Sequence, residues 1–271
     1  VERRNRGSVV WYGFPELERQ AGVVAAVGAR HGGTSSGGFT SLNQSYSVGD
    51  DAESVAENQR RFAEAISLAN RCTVTTSQVH QTDVACADDV LAESPGACAI
   101  GNADALIARR NDVSLAMNFA DCVPILVADP RSDAIGLAHA GWRGTFGGVA
   151  GEIVRALRDR YGSRPAHLLV AIGPSIGPCC YEVGTELVER ARQLWPWSDK
   201  VAIRSARGWN LDLWEANVRQ LVDLGVPREN IELTAVCTSC NNHDFFSHRA
   251  QRGHAGRFRV LITRRSGEDD V

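Results

Sequence analysis

Short apolar runs rich in Val, Ile and Thr recur along the chain, each bounded by turn residues. They fall at 23–27, 72–79, 103–108, 113–119, 124–129, 134–140, 167–173, 231–237 and 258–263. Runs of this length and composition predict β-strands. Four other segments carry apolar residues at helical spacing. In 51–69, Val55, Phe62, Ile66 and Ala69 share one side; Val149, Ile153, Ala156 and Leu157 mark a second helix. Leu187, Val188, Ala191, Leu194 and Trp195 mark a third. The fourth begins at Asp212, with Glu215 as its capping-box partner, and ends near Gly225 with Pro227 beyond. The strands come in blocks instead of alternating strictly with helices. The expected class is therefore α/β (α+β): mixed β-sheets with helices packed outside, not a simple doubly wound parallel sheet. One domain is expected over 1–271, with 1–20 and 264–271 as peripheral segments and the polar RRSGEDDV end frayed.

Composition narrows the classes. With 44% apolar and 23% charged residues the chain reads as an ordinary globular protein. A net charge of -3 provides no global basic field, so neither nucleic acid nor an anionic membrane is an expected partner. No apolar run approaches the ~20 residues of a membrane span. The N-terminal VERRNRGSVVWYGF lacks the apolar stretch of a secretory signal, which points to the cytoplasm, although a chain beginning at Val1 leaves a cleaved presequence open. In that compartment the eight cysteines are expected as thiols or metal ligands, not disulfides. Adjacent Cys179 and Cys180 fit a disulfide framework poorly. Cys237-x-x-Cys240, with His243 nearby, looks like half a zinc ribbon or a redox pair, but no second CxxC exists to complete it. The plain alternative for any one cysteine is a small buried apolar side chain.

The stretch 120–145, ADCVPILVADPRSDAIGLAHAGWRGT, carries the most chemistry. Two apolar strands flank the turn segment DPRSD. If that turn centres on Arg131, Cys122 and His139 oppose one another, within about one residue of register, at the open end of a hairpin. Opposed Cβ atoms lie ~4.5–5.5 Å apart on one face. From there a thiolate and an imidazole can share one Zn²⁺ at ~2.0–2.3 Å. His80, at the end of a strand-like run, is the candidate third ligand. Three protein ligands leave the fourth position of a catalytic zinc open. A cysteine nucleophile, Cys122, with His139 as its base is the competing arrangement. Glycines cluster at 31–38, 141–148 and 172–178, where backbone turns or approaches something closely.

The blocks QVHQTDV, ADCVPILVADP, GLAHAGWRGT, AIGPSIGPCCYEVG, CTSC and FFSHR…GR occur in that order. Together they resemble the laccase-domain family, also called the multicopper polyphenol oxidase or YfiH-like family, from about Arg30 to about Ile262. The resemblance implies a single YfiH-like domain of mixed sheets. It also implies zinc-binding enzymes that phosphorolyse adenosine, inosine, guanosine and methylthioadenosine and deaminate adenosine. The family's metal ligands fall on His80, Cys122 and His139. Copper is the metal of the polyphenol-oxidase name, but seven dispersed histidines do not make a multicopper cluster. Three positions depart from the family pattern: Ala29 where Thr is usual, Gln81 after the first histidine, and His248 in FFSHR.

Phosphorolysis requires a bound phosphate, and guanidinium groups bind phosphate through paired donors. The candidates are Arg30, Arg143, Arg249 and Arg257, with Arg30 and Arg249 favoured; Arg143 precedes a helix expected near Gly147 whose N-terminus could receive an anion. Asn43 is a candidate for ribose or purine and equally for a turn cap. Asp121 should face away from Cys122, its strand neighbour; Asp104, Asp83 and Glu182 are unranked carboxylates. The expected partners are a purine nucleoside and phosphate. The alternatives are a cysteine-nucleophile hydrolase or editing factor acting on cell-wall precursors, a copper-dependent polyphenol oxidase, and a non-enzymatic binding module.

Overall fold

The structure, a computed structural model, describes residues 1–89, 96–206 and 208–265. Of the tail expected to fray, 266–271 lie outside the described residues. A hairpin of β1 (Glu2–Arg6) and β2 (Val9–Gly13) precedes helix α1 (Pro15–Ala21) and β3 (Val23–Gly28). Helix α2 (Ala52–Ala65) leads to β4 (Cys72–Ser77), β5 (Val84–Cys86), β6 (Gly96–Asn102), β7 (Ala105–Ala108) and β8 (Val113–Phe119). A central hairpin, β9 (Val123–Asp129) and β10 (Ala134–Ala140), runs into α3 (Trp142–Gly147) and α4 (Val149–Tyr161). Then come β11 (Leu169–Ile172), β12 (Glu182–Val183), α5 (Thr185–Leu194), β13 (Ala202–Ser205), β14 (Gly208–Leu211), α6 (Leu213–Asp223), β15 (Ile231–Leu233) and β16 (Phe258–Arg264).

Two large sheets stack face to face. The first orders its strands β1-β2-β3-β16-β8-β4-β6 and the second β15-β11-β9-β10-β7-β5; β12, β14 and β13 form a small third sheet. Parallel and antiparallel pairs mix in both large sheets: β4 runs parallel to β6 and β8, while β16 runs antiparallel to β8 and β3. Leu115, Met117, Phe119 and Val260 of the first sheet meet Leu106, Leu126, Ile135 and Leu137 of the second in an apolar inter-sheet core. The outer face of the second sheet packs on α4 and α6 through Ile125, Val127, Ile153, Leu157 and Leu221. The outer face of the first sheet packs on α2 through Ala26, Ala116, Leu261 and Phe62. β9 and β10 are buried on both faces, which is why they read as continuous apolar runs instead of alternating ones. Each fully buried Leu, Ile or Phe in these layers contributes ~1.5–3 kcal/mol of transfer free energy.

The result is a mixed α/β fold with helices outside the sheets, as the pattern implies. Every strand and helix expected from the pattern is present, and half of the expected capping box forms: Asp212 accepts the Glu215 N–H at 3.0 Å, but its own N–H goes to the Val201 carbonyl and the Glu215 carboxylate pairs with Arg219. β2 (VVWYG) and β6 (GACAIGN) lie beyond expectation although they carry apolar residues; several others are short or polar. β1 is the charged edge ERRNR, and β12 has two residues. Helix α3 is six residues with two glycines. None of these last three has enough apolar period to be seen. Among the described residues no helix is long and apolar enough to cross a membrane.

Candidate functional site

His80, Cys122 and His139 converge at the open end of the β9–β10 hairpin. One ligand-capable atom of each lies within 4.8 Å of the others. The hairpin register differs from the expected one. His139 pairs with Pro124 and Ala140 with Val123, because the four-residue loop 130–133 centres between Arg131 and Ser132. Cys122 lies just before β9, and extending the register places it across from Gly141, so His139 is its diagonal neighbour. A displacement of two residues keeps both side chains on the same face, where a displacement of one would have parted them.

The chain prepares each of the three positions. His80 follows β4 in a loop and holds a left-handed conformation, φ 60°. Asp121 holds φ 85° immediately before Cys122. Such conformations are uncommon outside glycine and collect at functional sites. Gly141 leaves room for the sulfur, since a Cβ there would sit 2.9 Å from Cys122 Sγ and 3.3 Å from the His80 ring.

Asp104, fully buried, organises the two histidines. Its Oδ1 lies 2.8 Å from His139 Nδ1, and its Oδ2 accepts the N–H groups of Val79 (3.1 Å) and Gln81 (2.7 Å), on either side of His80. Its backbone carbonyl also accepts the His139 N–H at 2.7 Å. With Nδ1 engaged by the carboxylate, Nε2 is the nitrogen of His139 left for a ligand. Burial pushes the Cys122 thiol up, but His139 and His80 beside it outweigh burial and bring it down to about 6. Burial pulls His139 down; the Cys122 sulfur and Asp104 outweigh this and raise it to about 9. The pair is therefore a thiolate beside an imidazolium when no metal replaces the shared proton.

The trio opens into a cavity of about 710 Å³. Its walls carry Tyr46, Gln78, Trp142, Tyr181, His248 and the cations Arg249, Arg257 and Arg259. Among the described residues none of these three arginines forms an ion pair with a carboxylate. Arg249 donates to the carbonyls of Cys180 and Glu182 and lies over the Tyr181 ring. Burial lowers Arg257, and lowers Arg259 to about 10. Burial likewise pushes Tyr181 up to about 12.

Of the other residues singled out in the sequence, Arg249 and Arg257 line the cavity. Arg30 lies apart, donating to the carbonyls of Thr40 and Asn242 and stacking on Phe246. Asn43 is buried in the scaffold: it donates to Asp50 and to the Ser45 carbonyl, and accepts the N–H groups of Ser45 and Arg257. Arg143 is exposed within α3 and stacks on Trp142. Asp121 turns away from Cys122, accepting the Thr238 hydroxyl and the Arg249 N–H, both at 2.6 Å. Arg259 escaped the sequence reading, although an arginine inside the apolar run FRVLIT was a readable signal for a buried charge.

A model of the family described as multi-copper polyphenol oxidoreductase laccase matches residues 24–265. The purine nucleoside phosphorylase YlmD of Geobacillus stearothermophilus is 43% identical over 250 residues, 90% of this chain and 91% of that protein. The adenosine deaminase RL5 of an unknown prokaryotic organism is 34% identical over 224 residues, 81% of this chain and 85% of that one. The crystal structure of YlmD from Geobacillus stearothermophilus superposes with a TM-score of 0.88 at 40% identity, over 97% of this chain and 98% of the other. With that length of match and that depth of identity, the chain belongs to the multi-copper polyphenol oxidoreductase laccase family.

Proposed function

We propose that the chain is a zinc-dependent purine nucleoside phosphorylase that also deaminates adenosine in the same cavity. The observation that carries the reading is the convergence of His80, Cys122 and His139 at the floor of a cavity walled by arginines. Two nitrogens and one sulfur are donors suited to zinc, and three protein ligands leave a position facing the cavity. Gly141, which has no side chain to fill the space beside the sulfur, and Asp104, which turns His139 Nε2 toward it, fit the same reading. A bound zinc ion supplies Lewis acidity and makes water a stronger nucleophile near neutral pH.

The chain's own residues supply the rest. Arg257 and Arg259 lie two apart in sequence, at and just before β16, and Arg249 approaches from the loop beyond Phe246; this trio would hold phosphate against the sugar through paired N–H donors. In phosphorolysis a phosphate oxygen attacks C1′ while the bond to the purine nitrogen breaks. Trp142, Tyr181 and Tyr46 offer flat faces for the purine. Arg30 and Asn43 act at one remove in this reading, with Asn43 fixing the Arg257 backbone. His248, where the family usually has Tyr, stands on the cavity wall and is placed to tune substrate choice. Copper chemistry of the multicopper kind is less well supported, because the two clusters of metal-capable side chains among the described residues hold only two histidines between them.

A second reading draws on the chain Asp104–His139–Cys122, which is also the arrangement of a cysteine nucleophile, its base and an orienting carboxylate. One experiment separates them: purine release from inosine with and without phosphate, before and after chelation, with metal counted. Zinc reading: activity follows metal and is restored by Zn²⁺. Persistence of full turnover in the chelated protein, with loss only to iodoacetamide, would establish the nucleophile instead.

A further inference from the structure

The half ribbon Cys237-x-x-Cys240 finds its complement in the adjacent pair Cys179–Cys180. The four sulfurs lie within 4.8 Å of one another, and no other group of metal-capable side chains among the described residues has four members. Cys240 Sγ is 3.6 Å from Cys179 Sγ and 3.4 Å from Cys180 Sγ. A disulfide needs ~2.05 Å. The edge of a tetrahedron with ~2.3 Å metal–sulfur bonds is ~3.8 Å, close to what is seen.

The backbone is built to bring the two segments together. Ser175 and Cys237 form a parallel bridge, and the Thr238 N–H donates to the Ser175 carbonyl. The Gly177 N–H donates to Cys237 Sγ at 3.3 Å, a bond that favours a thiolate there. At Gly177 a Cβ would lie 2.6 Å from the Trp214 ring and 3.2 Å from Cys237 Cβ, so only glycine lets the loop come this near. His243, the histidine that spacing offers to complete a ribbon, is exposed and is not part of the group.

We propose that Cys179, Cys180, Cys237 and Cys240 bind one zinc ion in a closed, all-sulfur site, separate from the cluster at His80. Each thiol that binds gives its proton to solvent. Four sulfurs suit zinc and leave no position for substrate, so the ion is structural. It fastens the loop 177–182 to the turn 237–240. Tyr181 follows Cys180 directly, and Arg249 donates to the Cys180 carbonyl, so the clamp sets two residues of the cavity wall. The proposal stands whichever reaction the cavity performs.

The test uses the full chain, loaded with Zn²⁺ under reducing conditions, desalted, and counted for metal. Two zinc ions per chain are expected, falling to one in His80→Ala and to one in Cys240→Ser or Cys179→Ser. Because a cysteine replacement in such a clamp risks the fold, the wild type carries a second readout: Co²⁺ loading gives a sulfur-to-metal charge-transfer band that persists in Cys122→Ala. A single zinc that His80→Ala removes, a band that Cys122→Ala abolishes, or a disulfide among these four cysteines in protein prepared without added oxidant overturns the proposal.

Discussion

The two clusters on either side of Asp121 use cysteine in opposite ways. Around His80 the donors are mixed, one flank is a cavity, and a buried carboxylate sets the orientation of an imidazole. Around Cys240 all donors are sulfur, the segments are tied by backbone bonds, and the fourth corner is filled by the protein itself. Reactivity needs a vacancy and a tuned proton; a clamp needs neither. The difference lies in what surrounds the sulfur, not in the sulfur.

Removing one sulfur breaks that contrast most completely. In Cys122→Ala, purine release from inosine and phosphate should fall to background while the all-sulfur site keeps its metal; turnover near wild type would end the catalytic assignment. Asp104→Asn should weaken metal binding at the His80 cluster by about 10–100-fold, the usual effect of losing a carboxylate behind a ligating histidine. Competitive chelator titration reads this, with no change expected at the cysteine cluster. Gly141→Ala sharpens the role of open space. Its Cβ would press on Cys122 Sγ, and overpacking of this kind costs about 1–3 kcal/mol. Thermal unfolding and chelator titration should both register the loss.

The smallest effect is a difference in titration. In chelated, reduced protein, alkylation by iodoacetamide followed by peptide mapping should mark Cys122 at neutral pH. Its thiol is held down to about 6, so the thiolate is present above that pH and is lost as pH falls through it. Cys240 is pushed up to about 11, chiefly by its contact with Cys180, and should react only in alkali despite its exposure. Equal labelling of the two at neutral pH would remove the distinction.

Much of this was legible in the residues. The runs at β8, β9, β10 and β16 mark buried strands because burial leaves them apolar on successive positions, whereas β4 shows itself by alternation and its β-branched residues. The hairpin turn, read one half-step off, still put Cys122 and His139 on one face, since the pleat repeats every two residues. The rest depended on contacts that no local pattern encodes. Asp104 is an ordinary acid in sequence, and its role comes from a loop and a strand meeting on its two oxygens. The Cys179–Cys180 pair, separated from Cys237 by the small third sheet, two helices and β15, gave no spacing rule by which to join them. Arg30 sits near a glycine pair and reads as a phosphate ligand, yet its guanidinium lies outside the cavity wall, on the Thr40 and Asn242 carbonyls.

One carboxylate links these regions. Asp121 precedes Cys122, and its oxygens hold the hydroxyl of Thr238, next to Cys237, and the N–H of Arg249. Strain or slack introduced at one sulfur centre therefore reaches the other through this rivet as well as through Tyr181 and Arg249, and an injury to the clamp will register at the reacting end as a misaligned floor.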